Sequence, residues 1–195
     1  MARRTGSAVA FERPFAAGVA FLFAAAAFAS PENAVPSAGQ AQESAAAGAL
    51  ARLTALAGEW EGSFEWTGGR TSHGAMNARY FTTGNGSAVV ENLIMDGVPV
   101  MTTVYHTDGP DLRMTHYCAA RNQPRLKASK IDLAGGSIDF AFVDATNLSA
   151  PDAPHATGLE VRFGDNDHVT LTFLFEGGGK PARERISLQR ARPKA

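Results

Sequence analysis

From Trp60 to the C-terminus the chain is cut by turn signals that recur about every dozen residues: "TGGR", "TGNGS", "MDGVP", "TDGPD", "ARNQP", "LAGGS", "DAPHATG", "GDND" and "EGGGK". Glycine supplies the positive φ such turns need, Asp and Asn supply local hydrogen bonds, and proline fixes φ. Nine turns delimit ten segments. Inside the segments apolar residues alternate, as in Trp60, Gly62, Phe64 and Trp66, then Ile138, Phe140 and Phe142, then Leu159, Val161 and Phe163, then Val169, Leu171, Phe173 and Phe175, and finally Ile186 and Leu188. A period of two marks strands with one buried face, and no helical period interrupts the series after residue 58. Hairpins in succession predict an antiparallel up-and-down sheet, and ten strands close more readily than they leave two long edges exposed. The expected fold is therefore all-β, a roughly ten-stranded antiparallel up-and-down barrel, of a size able to enclose more than its own side chains.

The N-terminal part has a different character. Arg3, Arg4 and Arg13 precede an apolar run from Phe15 to Ala29, followed by a polar stretch rich in Ala, Ser, Gln and Pro. Basic end, apolar middle and small-residue exit are the order of a secretory signal, with cleavage expected after Ala29 or after Ala41. Residues 1–41 are accordingly assigned to a signal peptide and polar leader and 42–195 to the barrel domain, with a periplasmic or secreted location. The apolar run falls short of the ~20 residues a spanning helix needs, so no stable membrane span is expected after processing. Ahead of the first strand, Leu50, Leu53 and Leu56 stand at helical spacing with Gly58 placed to stop the helix, which predicts one short helix lidding a barrel end.

Composition excludes some functions. The formal net charge is -1 with no basic stripe, so nucleic-acid partners are discarded. Cys118 is the chain's one cysteine, so stability comes from packing without an intramolecular disulfide. There is no Gly-x-Ser-x-Gly elbow and no His-Glu-x-x-His, "GNGSAV" lacks the third glycine of a dinucleotide loop, and "GGGK" lacks the Ser or Thr of a phosphate loop. Catalysis and cofactors thus find no support in the residues.

"LAGEWEGSF", Leu56 to Phe64, resembles the opening of calycin-type barrels, in which a Gly-x-Trp seats a tryptophan across the closed end. Together with the signal segment, the short helix and the "THYC…NQPR" hairpin, it is similar to secreted bacterial lipocalin-like domains. That resemblance implies binding of a small apolar or amphipathic molecule without chemistry. A more distant resemblance is to nitrobindin, a ten-stranded haem-carrying barrel opening on Gly-x-Trp-x-Gly-x-Gly. Gly58, Trp60 and Gly62 match, but Phe64 stands where the third glycine would fall. A haem-binding enzyme is thus one alternative, and an interaction module with a solid barrel is another.

The densest group of chemistry-bearing residues is "MTHYCAARNQPR", Met114 to Arg125. Alternation places His116 and Cys118 inward, with Cβ atoms about 7 Å apart, and sets Arg113, Thr115 and Tyr117 outward. A shared metal would need a third ligand. The nearest candidate, His106, is expected opposite residue 111 or 112, about 13 Å or more from His116 along the strand. His116 is therefore expected as a buried hydrogen-bonded residue or as a polar group facing a cavity, beside Cys118 as a small hydrophobe. The stretch is expected as a Pro124 turn with solvated arginines; alternatively Asn122 and Arg125 stand at the barrel rim, where an amide and a guanidinium suit a carboxylate or phosphate. Trp60 and Trp66 are expected mainly in the core, Trp60 also being a ligand-stacking candidate, while Met95, Met101 and Met114 are expected to fill gaps.

Overall fold

The computed structural model describes residues 36–192; the apolar run from Phe15 to Ala29 and the expected cleavage position after Ala29 lie outside them, whereas the alternative after Ala41 falls among them. One helix, α1 (Ala38–Thr54), precedes ten strands: β1 (Gly58–Gly68), β2 (Ser72–Thr83), β3 (Ala88–Met95), β4 (Val98–Asp108), β5 (Asp111–Tyr117), β6 (Gln123–Asp132), β7 (Ser137–Thr146), β8 (His155–Phe163), β9 (His168–Glu176) and β10 (Ala182–Arg190). Each strand pairs antiparallel with its chain neighbours, and β1 pairs with β10 from Trp60↔Arg190 to Gly68↔Ala182, so the sheet closes into a barrel. Every expected turn joins two strands. Between β3 and β4, Asp96 and Gly97 both take positive φ, 51° and 77°, the arrangement whose twist matches a two-residue hairpin.

The alternating sets face inward as the period of two requires: Trp60, Ile138, Leu159, Val161, Leu171, Phe173 and Ile186 are buried. Phe142 departs from its set. β7 carries one extra residue where Arg125 pairs with Asp144 but Leu126 pairs with Phe142, and β7 has β8 partners only from Ser137 to Ala141. Beyond that point the two strands separate, and Phe142 lies 39% exposed beside the His155 ring.

The helix begins earlier than the leucine spacing indicates, inside the stretch assigned to the leader. Ser37 and Gln40 form a capping box: the Ser37 hydroxyl accepts from the Gln40 amide and the Gln40 side chain accepts from the Ser37 amide. Ala46, Ala49 and Leu53 form its buried face, and Leu56 is buried just past its end. The helix covers the barrel end made by the β4–β5, β6–β7 and β8–β9 turns, where Gln42 meets Asp111, Gly48 meets Leu133, and Arg52 donates to the Asp165 carbonyl. At its C-terminal end, Arg190 donates to the carbonyls of Ala55 and Ala57 while its guanidinium lies 4.5 Å from the centroid of the Trp60 ring. Trp60 in turn donates its indole N–H to the Leu56 carbonyl at 2.7 Å. This clamp ties the last strand, the first strand and the helix exit together, with a cation where the helix carbonyls are unpaired. We expect Arg190→Leu to lower the unfolding free energy by about 2 kcal/mol, read as a lower urea midpoint with an unchanged slope.

Candidate functional site

The opposite end is built differently. There the β1–β2, β3–β4, β5–β6, β7–β8 and β9–β10 connections ring a half-open cavity of about 430 Å³. Its wall is mainly apolar, with Phe64, Trp66, Met95, Met101 and Phe175 at its centre. The short β5–β6 seam, only Arg113↔Lys127 to Thr115↔Arg125, lets the Cys118–Asn122 turn swing away from the barrel and contribute Cys118, Ala119 and Ala120 to the wall. Arg70 and Lys180 stand among the lining residues as cations, Arg70 placed 4.5 Å from the Trp66 ring centroid. One acid lines the cavity: Glu184, on β10 in phase with the buried Ile186 and Leu188, is 2% exposed, and its Oε2 has no hydrogen-bond partner. Burial pushes its carboxyl up to about 7, opposed by the Trp66 indole and the Arg70 charge.

Beneath the cavity lies a polar belt. Tyr80 on β2 pairs with Glu91 on β3, Glu91 with Thr103 on β4, and Thr103 with His116 on β5, so four neighbouring strands point polar side chains into one layer. Glu91 Oε2 accepts from the Tyr80 hydroxyl at 2.8 Å and from the Tyr105 hydroxyl at 3.0 Å, and Oε1 accepts from Thr103 at 3.3 Å. With Glu91 ionised, Thr103 gives its single proton to the carboxylate, so the contact between its oxygen and His116 Nδ1, 2.9 Å, then has the ring N–H as donor. That assigns the Nδ1–H tautomer and leaves Nε2 as a buried acceptor without a partner, the ring packed 4.6 Å from Phe173. Burial pushes the His116 pKa down to about 4 and the Glu91 carboxyl up to about 7, the latter against the pull of three hydroxyl donors.

The residues singled out from the sequence do not all meet. Of the five ligand-binding candidates, His116, Cys118, Asn122, Arg125 and Trp60, only Cys118 lines the cavity, where burial pushes its thiol pKa up. His116 is fully buried, as expected for the hydrogen-bonded reading, but in the layer beneath the cavity. Trp60 is buried at the clamp near the helix, away from the cavity lining. Asn122, 2% exposed, donates to the Pro154 carbonyl at 2.9 Å and ties the β5–β6 turn to the β7–β8 loop, placing it behind the wall. Arg125 faces solvent, because its neighbours Pro124 and Leu126 take the inward phase of β6, and its guanidinium pairs with Asp144 at 2.5 Å. His106 lies opposite Arg113, a position beyond the expected register, since the β4–β5 turn is only Gly109 and Pro110; the partner of His116 is Thr103. Among the described residues no group of three or more His, Cys, Asp or Glu is placed to hold a metal ion. Trp66, expected in the core, and Met101, expected to fill a gap, belong to the core cluster and also form cavity wall, Met95 packs against that cluster and lines the cavity too, and Glu91, Thr103, Tyr105 and Glu184 were not anticipated at all.

No protein-family model and no curated protein matches the chain. Among solved structures it is similar to the crystal structure of Rv2717c from M. tuberculosis, at 19% identity over 74% of this chain and 98% of that one, with a TM-score of 0.49. It is also similar to a redesigned beta barrel, at 10% identity over 72% and 95% with a TM-score of 0.32, and to EF1p2_mFAP2b bound to DFHBI, at 11% identity over 73% and 97% with a TM-score of 0.35. The fold assignment rests on the strand pairing of this chain itself, a closed ten-stranded antiparallel barrel.

Proposed function

We propose that the chain is an exported binding protein that holds a small amphipathic molecule at the open end of its barrel, without chemistry of its own. The observation that carries this reading is the asymmetry of the two ends: one is plugged by α1 and the Arg190–Trp60 clamp, while the other keeps a cavity of about 430 Å³ walled by Phe64, Trp66, Met95, Met101 and Phe175. A mainly apolar concavity with a few polar groups is the ordinary form of a small-molecule site, and a solid barrel would lack it. No histidine is among the lining residues, and His116 Nε2 sits beneath them against Phe173, so the wall offers a haem iron no imidazole ligand. Among the described residues no helix is long and apolar enough to cross a membrane.

Export by a signal segment remains part of the proposal, and the capping box bears on where the segment ends. Cleavage after Ala41 would delete Ser37 and Gln40 and with them the first turn of α1, whereas cleavage after Ala29 keeps both. The mature N-terminus is therefore expected upstream of Ser37, and intact-mass measurement of the exported protein checks it.

Trp66 gives the binding test a reporter. The two tryptophans sit at opposite ends, so ligand entry perturbs Trp66 and leaves Trp60 with its Leu56 partner. Titration with an apolar dye such as anilinonaphthalene sulfonate should quench tryptophan emission and give saturable dye fluorescence. Met101→Trp, which fills the cavity from β4, should weaken dye binding about tenfold while the fold persists. Equal dye binding by wild type and this variant would show that the cavity is not the site.

A further inference from the structure

We propose, building on the cavity reading above, that the occupant presents a protonated amine to Glu184, so that the site selects amphipathic amines over alcohols and carboxylates of the same length. Glu184 Oε2 is buried, unpartnered and on the cavity wall, and a buried acceptor without a donor is a standing cost that a ligand donor removes. Its strand neighbours in register are Trp66 on β1 and Phe173 on β9, so the carboxyl is flanked by aromatic rings; Trp66 belongs to the cavity wall together with Phe64 and Phe175. A carboxylate beside aromatic faces suits an ammonium group, which gains a charge-assisted hydrogen bond and ring contacts at once. The apolar body of the same molecule then lies against Met95, Met101 and Phe175.

The charged and titratable groups facing Glu184 fix how binding and pH are linked. Arg70 from the β1–β2 turn and Lys180 from the β9–β10 turn line the same cavity, and Cys118 on the β5 side is close enough for the Glu184 charge to raise its thiol pKa. Arg70 already lies against Trp66, and nothing donates to Oε2 from the protein, so neither cation satisfies that atom. Burial holds Glu184 partly protonated near neutrality, so an arriving ammonium group shifts it to the carboxylate and a proton leaves for solvent.

Isothermal titration calorimetry of the purified protein with octylamine, octan-1-ol and octanoate tests this at pH 7, in two buffers of different ionisation enthalpy. Octylamine should bind about tenfold more tightly than octanol, octanoate should bind most weakly, and octylamine alone should release a fraction of a proton. Glu184→Gln should abolish both the preference and the proton release, and a circular dichroism spectrum matching wild type shows that the variant is folded. Octylamine binding no tighter than octanol, or a preference that survives Glu184→Gln, would overturn the assignment and leave the cavity reading standing. Binding of none of the three would overturn both.

Discussion

Glu91→Ala should cost this barrel about 4 kcal/mol of unfolding free energy, enough to bring a domain of ordinary stability close to its margin. Glu91 is the common acceptor for Tyr80, Tyr105 and Thr103, all buried, and the Thr103 oxygen in turn accepts from His116. Removing the carboxylate strands three hydroxyl groups, each at about 1–3 kcal/mol when left unsatisfied, and adds a cavity under Thr103. Glu91→Gln should behave differently. Its amide oxygen accepts from both tyrosine hydroxyls, its amide N–H donates to Thr103, and the Thr103 proton turns to His116 Nδ1, which switches the ring to its other tautomer. Urea titration should therefore place the glutamine variant near wild type at pH 5 and the alanine variant far below both.

The glutamine variant also separates the pH dependence into its parts. The folded Glu91 carboxyl titrates at about 7 against an ordinary 4.5, and Glu184 does the same, so their contribution to stability is complete below about 4.5 and is lost as pH rises through 7. His116 works in the other direction: its folded value of about 4 lies below the ordinary 6.5, so its contribution is present above 6.5 and lost as pH falls through 4. Between pH 4.5 and 6.5 two carboxyls hold protons in the fold while one histidine refuses its own, and stability should fall by about 1.4 kcal/mol per pH unit. Glu91→Gln leaves one carboxyl against one histidine, and the slope should vanish. Wild-type and variant urea midpoints changing in parallel across that range would show that Glu91 is not the group responsible.

Strand number, turn positions and closure were legible because they rest on local chemistry: glycine-bearing turns and a period of two require no knowledge of the partner strand. The belt was not legible, because it depends on register. In β4–β5 a two-residue Gly109–Pro110 turn sets Thr103 against His116, whereas the register expected from the sequence, His106 opposite 111 or 112, would have set residue 101 or 102 there instead. Glu91 follows the phase of Val89 and Leu93, and Glu184 follows Ile186 and Leu188, so the inward phase was present in the sequence. Acids in strands are ordinarily solvated, as Glu59, Glu61 and Glu65 are here, and the phase was outweighed by residue type. Arg125 shows the converse: once β6 starts at Gln123, Pro124 and Leu126 claim the interior and the guanidinium turns outward, although the same residues look like a rim turn when the strand start is unknown.

Gly62→Ala should prevent the barrel from closing. A Cβ at Gly62 would lie 1.9 Å from the Ser187 carbonyl oxygen and 3.0 Å from Leu188 Cα, both backbone atoms of β10, and no side-chain rotation relieves such an overlap. The obstruction falls in the middle of the seam that joins the first strand to the last, between the buried Trp60 and Phe64, so the relief available is separation of β1 from β10. Separation breaks ladder hydrogen bonds, uncovers the Arg190–Trp60 clamp and converts a closed sheet into one with two free edges, the form that pairs with other chains. Circular dichroism and gel filtration should show Gly62→Ala either unfolded or aggregated, or destabilised by about 4 kcal/mol or more. Gly39→Ala is the matched control: nothing lies within 4 Å of a Cβ there, and the helical site should gain rather than lose, by about 1 kcal/mol. A Gly62→Ala protein that melts within a few degrees of wild type would mean that the seam has slack, and with it the rigid frame that holds Trp66 and Glu184 on adjacent strands would be lost as an explanation of the site.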